Sequence, residues 1–216
     1  METDSTQDTS TIEKLMWEIY EYVKQRHAPV YEGGATAAEA VYLQELARRT
    51  KAGVVAEIGF NVGFSAMAFL EGLPEVKVVS FEIDRRISVD LAKEFIDARY
   101  PDRHELVLGN SLDTLPRYAE DKREQPDLVF VDGGHDYDVA YADIQNSRKI
   151  AKPGAIVVVD DMVPWRPWGV GPHEAWYEAV KRGLVEPIEY VSDGVVVDEI
   201  AEPADRAWAT GRFTAL

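Results

Sequence analysis

The sequence predicts an α/β protein built on a doubly wound, mostly parallel, seven-stranded sheet, with helices before it and a β-hairpin at its end. Three observations predict it. Short β-branched runs alternate with helix-like segments through the middle of the chain. Those runs are nearly continuous in apolar residues rather than alternating, as in strands buried on both faces. The chain has 216 residues, 46% of them hydrophobic, which suffices for one sizeable core but not for two comfortable domains.

Residues 1–10, METDSTQDTS, are polar and aperiodic and read as a tail ahead of a single domain over 11–216. They lack the basic-then-apolar pattern of a secretory leader. Ile12, Leu15, Met16, Ile19 and Val23 then follow a helical face, which also offers a surface for a homodimer. A break at Glu32-Gly33-Gly34-Ala35-Thr36 precedes a second helix over Ala37–Arg49, with Leu43 and Leu46 inward. These two helices, within 11–50, read as a cap on the sheet.

Five runs read as parallel strands: Val54–Ile58, Val76–Phe81, Leu106–Leu108, Leu128–Val131 and Ile156–Val159. Helical segments at Ser65–Glu71, Arg86–Ala98, Asp113–Glu120 and Val139–Ile150 separate them. A Trp/Pro-rich loop leads to a further helix near Pro172–Arg182. Pro187–Val191 and Gly194–Val197 then read as a hairpin around Ser192-Asp193.

Composition excludes several chemistries. There is no cysteine, hence no disulfide, thiolate metal site or cysteine nucleophile. The formal charge of −16 repels phosphate backbones, which argues against a nucleic-acid partner. No apolar run reaches the ~18 residues of a membrane span, so the expectation is a cytoplasmic protein without a membrane partner.

In such a sheet, ligands bind beyond the carboxyl ends of the strands. The first strand runs into Glu57-Ile58-Gly59-Phe60-Asn61-Val62-Gly63-Phe64-Ser65. Gly59 and Gly63 permit a sharp turn and close backbone approach. The GxxxG spacing is neither the pyrophosphate fingerprint nor a P-loop. An acidic residue before the glycines suits a ligand carrying an ammonium group, and the alternative is a plain strand-to-helix turn. Glu82, at the end of the second strand, is placed to accept both hydroxyls of a ribose. After the third strand, Ser111 and Asp113 suit either the reading of an adenine edge or a helix N-cap.

The fourth strand ends in Asp132 and the fifth in Asp160-Asp161, so adjacent strands deliver three carboxylates to one rim. Such a group needs a cation or a proton, and all-oxygen ligands suit Mg²⁺ first. His135, on the loop after Asp132, is a candidate general base. Trp165 and Trp168 either wall an acceptor pocket or pin their loop to the core.

Taken in order, AEIGFNVGFS, VVSFEID, LGNSLDTLP, PDLVFVDGGHDYD and KPGAIVVVDD resemble the class I, Rossmann-like methyltransferases that use S-adenosylmethionine. Specifically they resemble the Mg²⁺-dependent O-methyltransferases related to catechol O-methyltransferase, over roughly Ala37–Asp161. The DMVPWRPWGVGP segment is closer to bacterial natural-product and sugar O-methyltransferases of the macrocin type. The resemblance implies methionine contacts around Glu57, Gly59 and Ser65, ribose at Glu82, adenine near Ser111, and metal on Asp132, Asp160 and Asp161. His135 falls where the catechol enzymes carry a lysine base, Asp161 where they carry Asn, and Gly134 where they place an aromatic. These departures bear on the acceptor rather than the cofactor.

The implied reaction is transfer of the cofactor's methyl group to an oxygen of a small molecule with vicinal hydroxyls, with His135 taking the proton. The alternatives are a metal-independent N- or O-methyltransferase, another S-adenosylmethionine-using enzyme, and a non-catalytic cofactor-binding module.

Overall fold

The computed structural model describes residues 9–30, 33–121 and 123–215. Most of the expected tail, residues 1–8, and Glu32 of the first turn lie outside the described residues. Two helices come first, α1 (Ser10–Lys24) and α2 (Ala37–Thr50). Ile12, Leu15, Ile19 and Val23 form the buried stripe of α1, as their spacing predicts. A capping box starts α2: Glu39 N donates to the Thr36 hydroxyl, and Thr36 N donates to the Glu39 carboxylate.

The alternating region forms β1 (Val54–Ile58), α3 (Phe64–Gly72), β2 (Lys77–Glu82), α4 (Ile87–Arg99), β3 (His104–Leu108) and α5 (Ser111–Glu120). It continues with β4 (Leu128–Val131), α6 (Tyr137–Ile150), β5 (Ile156–Val159) and α7 (Val170–Lys181). The last strands are β6 (Val185–Ser192), β7 (Val195–Val197) and β8 (Ala207–Phe213). The sheet order is β3-β2-β1-β4-β5-β8-β6-β7, with the first five strands parallel. Chain order reverses between β1 and β4, so the cleft opens beyond their carboxyl ends.

The sheet has eight strands where the sequence predicts seven. The extra strand, β8, lies antiparallel between β5 and β6. Its sequence AWATGRF carries two alanines and a glycine, poor strand formers, so tertiary burial overrides local preference. A Cβ at Gly211 would meet Val185 Cγ1 at 2.4 Å and Trp176 at 2.8 Å, so the small residue is what lets α7 and β6 close on β8. The hairpin also turns one residue later than expected. Asp193 and Gly194, both at positive φ (48° and 82°), form its two-residue loop.

Both sheet faces are covered. Val55, Phe130 and Val158 pack with α1–α4 on one side. Ala56, Val129 and Val157 pack with α5–α7 on the other, where Trp176 is fully buried. Among the described residues, no helix is long and apolar enough to cross a membrane.

Candidate functional site

The cleft floor is set by one close approach. Gly59 has φ +97°, and a Cβ on it would lie 2.0 Å from the carbonyl oxygen of Asp132. Only glycine lets the loop after β1 lie against the end of β4. Gly63 has φ +74° and caps α3, with its missing Cβ directed at Ile96 and the Phe60 ring. Gly59, Asn61, Ser65 and Asp132 line one pocket with Gly33 and Gly34. A larger groove of about 510 Å³ runs past the opposite strand ends, by Lys77, Arg103 and His104, and contains none of the predicted residues.

On the β1–β2 side the carboxylates accept mainly from neutral donors, with Arg86 Nη2 3.8 Å from Glu82 Oε1. Glu57 is fully buried and accepts from the Ser65 and Ser80 hydroxyls, each at 2.6 Å. Burial pushes its pKa up to about 7 despite those two donors. Both oxygens are engaged, so Glu57 shapes the loop and Ser65 is the group that faces the pocket. Ser80 also meets His104 Nε2 at 2.8 Å, which extends the polar chain beneath the sheet. Burial drives the His104 pKa down to about 3, so it stands there neutral.

Glu82 accepts the backbone N–H groups of Phe60 (3.1 Å), Asn61 (2.8 Å) and Asp84 (3.1 Å). It thereby clamps the end of β2 to the glycine loop. Ser111 opens α5, but the N-cap is neither of the residues proposed for it: Asn110 accepts from Leu112 N at 3.0 Å. The side chain of Ser111 instead lies near Asp143, whose pKa burial raises to about 6 while Ser111 holds it lower. Ile83, Leu108 and Leu112 are exposed at this rim, an apolar edge that no sequence motif announced.

On the β4–β5 side the carboxylates face one another. Asp132, His135 and Asp161 bring ligand atoms within 4.8 Å of one another. His135 Nε2 lies 2.9 Å from Asp161 Oδ2, and this hydrogen bond raises the imidazole pKa. Asp132 is only partly accessible. Burial, then the Asp161 and Glu39 charges, raises its pKa well above the usual carboxylate range.

Asp160 belongs to a different grouping. Adjacent residues leave a strand end on opposite sides, and Asp161 additionally adopts φ +58°. Asp160 therefore sits inward, 2% exposed, beside the buried Glu39 of α2. Burial pushes the Glu39 pKa up to about 7. Between the groupings lies Arg206, whose Nη1 is 3.9 Å from Asp160 Oδ2 and 3.6 Å from Asp161 Oδ1.

Sequence reasoning missed Glu39 and Arg206. The one local signal that Glu39 carries is its capping-box spacing from Thr36, and nothing in the local sequence around Arg206 marks it. Of the two tryptophans, Trp165 is pinned, its indole N–H donating to Ala204 O at 3.0 Å. Trp168 is 42% exposed, its ring centroid 5.9 Å from the guanidinium carbon of Arg166.

Residues 56–162 match a family described as a methyltransferase domain. A catechol O-methyltransferase of Mycobacterium tuberculosis is 35% identical over 129 residues, covering 59% of this chain and 56% of the relative. The O-methyltransferase imqG of Aspergillus flavus is 32% identical over 112 residues, covering 50% of this chain and 44% of the relative. The chain thus spans about half the length of these curated relatives. Among solved structures, an O-methyltransferase from Bacillus cereus in complex with SAH has a TM-score of 0.74 at 19% identity, over 98% of this chain and 94% of that one. TomG from Streptomyces achromogenes, in complex with SAM, has a TM-score of 0.71 at 22% identity, over 93% and 89%. These two establish the α/β fold, and within it residues 56–162, which carry the glycine loop and the acidic strand ends, are similar to the methyltransferase domain family.

Proposed function

We propose that the chain transfers a methyl group from S-adenosylmethionine to an oxygen of a small molecule, at a site assisted by a divalent metal. The observation that carries this reading is the Asp132–His135–Asp161 group beside the glycine loop. Bound at the loop, the cofactor would supply an electrophilic methyl group on a sulfonium. Ser65 and the backbone of Gly59 would hold its methionine end, Glu82 its ribose, and Ser111 with the apolar rim its adenine.

His135 would take the acceptor's hydroxyl proton as the oxygen–methyl bond forms and the sulfur–methyl bond breaks. Its contact with Asp161 orients the ring and strengthens it as a base. Asp132 and Asp161 fit a divalent cation, since two facing carboxylates need positive charge. Such an ion would hold two vicinal oxygens and lower a hydroxyl pKa, which favours acceptors with adjacent hydroxyls, including natural-product sugars and catechol-like rings. With His135 as a ligand the donor set would mix nitrogen and oxygen, which favours Mn²⁺ over Mg²⁺. One imidazole nitrogen serves as ligand or base, not both.

Calorimetric titration with S-adenosylhomocysteine, in Mg²⁺ or Mn²⁺ and again in EDTA, tests the cofactor. One-site binding is the expected result, and no binding under any condition overturns the reading. Turnover with vicinal-diol acceptors then tests the metal: full rates in EDTA would leave a metal-independent methyltransferase. The acidic rim weighs against a non-catalytic module, because cofactor binding alone requires no such cluster.

A further inference from the structure

Four carboxylates crowd the β4–β5 end of the cleft, and one fixed cation stands among them. Glu39 is fully buried, Asp160 and Asp161 nearly so, and Asp132 is partly accessible. One oxygen each of Glu39 and Asp160 lacks a hydrogen-bond partner. The guanidinium of Arg206 is the positive charge that faces this inner pair.

Arg206 is held in place from behind. Its Nη2 donates to the Gly34 carbonyl at 3.0 Å, and its backbone N–H donates to Asp193 Oδ1 at 2.9 Å. Asp193 N in turn donates to the Arg206 carbonyl at 2.9 Å. The contacts to Asp160 and Asp161, at 3.9 and 3.6 Å, are too long for hydrogen bonds and act through charge. A guanidinium remains protonated under all ordinary conditions, so this charge is permanent.

Asp161 is shared between the two sides. Oδ1 faces Arg206, and Oδ2 faces His135. A cation arriving at the Asp132–His135–Asp161 group would share that carboxylate with an existing positive charge. One guanidinium does not neutralise four carboxylates, so the group still attracts a cation, but the fixed charge weakens the attraction.

We propose that Arg206 is a built-in counter-cation of the acidic rim: it secures the inner carboxylates Asp160 and Glu39 and opposes a divalent ion on the outer side, thereby setting the metal affinity. This rests on the metal reading above and concerns a residue outside the matched methyltransferase segment, which ends at residue 162.

The test is calorimetric titration of the whole protein with Mn²⁺ at fixed pH, for wild type, R206M and R206K, with thermal melts in EDTA. R206M is expected to bind Mn²⁺ about tenfold tighter or more, while R206K stays within about threefold of wild type. Metal-free R206M should melt below wild type, and excess Mn²⁺ should narrow the gap. R206Q, which keeps a donor for Gly34, carries the same expectation should R206M fail to fold. Unchanged or weaker Mn²⁺ binding in the neutral variants, with wild type binding normally, overturns the proposal and leaves the metal reading intact. Binding by R206M but not by wild type sustains the proposal and removes the metal from the native reaction. No binding by either protein overturns both.

Discussion

The two sides of the cleft treat buried carboxylates in opposite ways. At β1–β2, Glu57 and Glu82 accept chiefly from hydroxyls and backbone N–H groups, with Arg86 Nη2 as a charged neighbour, 3.8 Å from Glu82 Oε1. At β4–β5, Asp132, Asp160 and Asp161 face one another and Glu39, with Arg206 and His135 as their positive or proton-bearing neighbours. The first arrangement holds a shape, with three N–H groups on Glu82 against the roughly four acceptor sites of a carboxylate. The second holds its carboxyls together at the expense of their ionisation, and is suited to exchange protons for a cation. Shape at one side and charge at the other is the division that a positioned transfer reaction requires.

The sharpest way to break the comparison is at the point where the sides touch. Gly59→Ala would drive a methyl group into the Asp132 carbonyl at a backbone φ that alanine tolerates poorly. It should cost about 3 kcal/mol or more in urea unfolding and abolish S-adenosylhomocysteine binding. Near-native stability with intact binding would mean that the two loops are not rigidly joined.

Next in size is the charged side alone. His135→Ala should lower methyl transfer by about 10²–10⁴-fold while leaving cofactor affinity within about threefold, because the imidazole serves the acceptor. Steady-state rates alongside calorimetry separate the two effects. An unchanged rate would remove His135 as base, and a lost cofactor site would merge the two sides.

The neutral-donor side has its own signature in pH. The folded-state pKa of Glu57 is about 7, raised by burial from 4.5. The folded protein therefore binds more protons than the unfolded chain between these values, and this contribution is lost as pH rises through that window. Glu57→Gln removes it. Relative to the variant, wild type should lose about 3 kcal/mol of stability across the window. Parallel denaturation profiles for the two proteins would show that Glu57 is already ionised at the low end.

How much of each side the sequence disclosed follows from the same contrast. The glycine loop, Glu82 and the strand-end aspartates are local signals, since a strand followed by a tight turn must carry these residues near one another in the chain. Four of the five parallel strands were legible for a similar reason, as nearly continuous apolar runs, whereas β3, at the sheet edge, was legible only over Leu106–Leu108. Arg206 reaches the site from the loop immediately before β8, a strand whose small residues conceal it, and Glu39 arrives from α2 as the N3 residue of a capping box. Asp160 and Asp161 read as one unit, but side-chain alternation and a left-handed Asp161 send them to different neighbours. Long-range charge pairing leaves no periodicity to read.

The smallest expected effect concerns the aromatic loop, where sequence left pocket wall and core anchor equally open. The structure distinguishes the two indoles. Trp165 is anchored through its N–H to Ala204 O and packs on the β5–α7 core. Trp165→Phe should therefore cost about 1 kcal/mol of stability through the lost hydrogen bond. Trp168 is exposed and carries no such anchor role, so Trp168→Ala should fall within about 0.5 kcal/mol of wild type. Its effect should appear in the acceptor KM, with kcat and cofactor affinity little changed, because it would remove apolar area that contacts the acceptor equally in ground and transition states. An unchanged KM across a panel of aromatic and sugar acceptors would take Trp168 out of the pocket. A fall in kcat at constant KM would instead place it against the reacting group, drawing the loop into the charged side of the cleft.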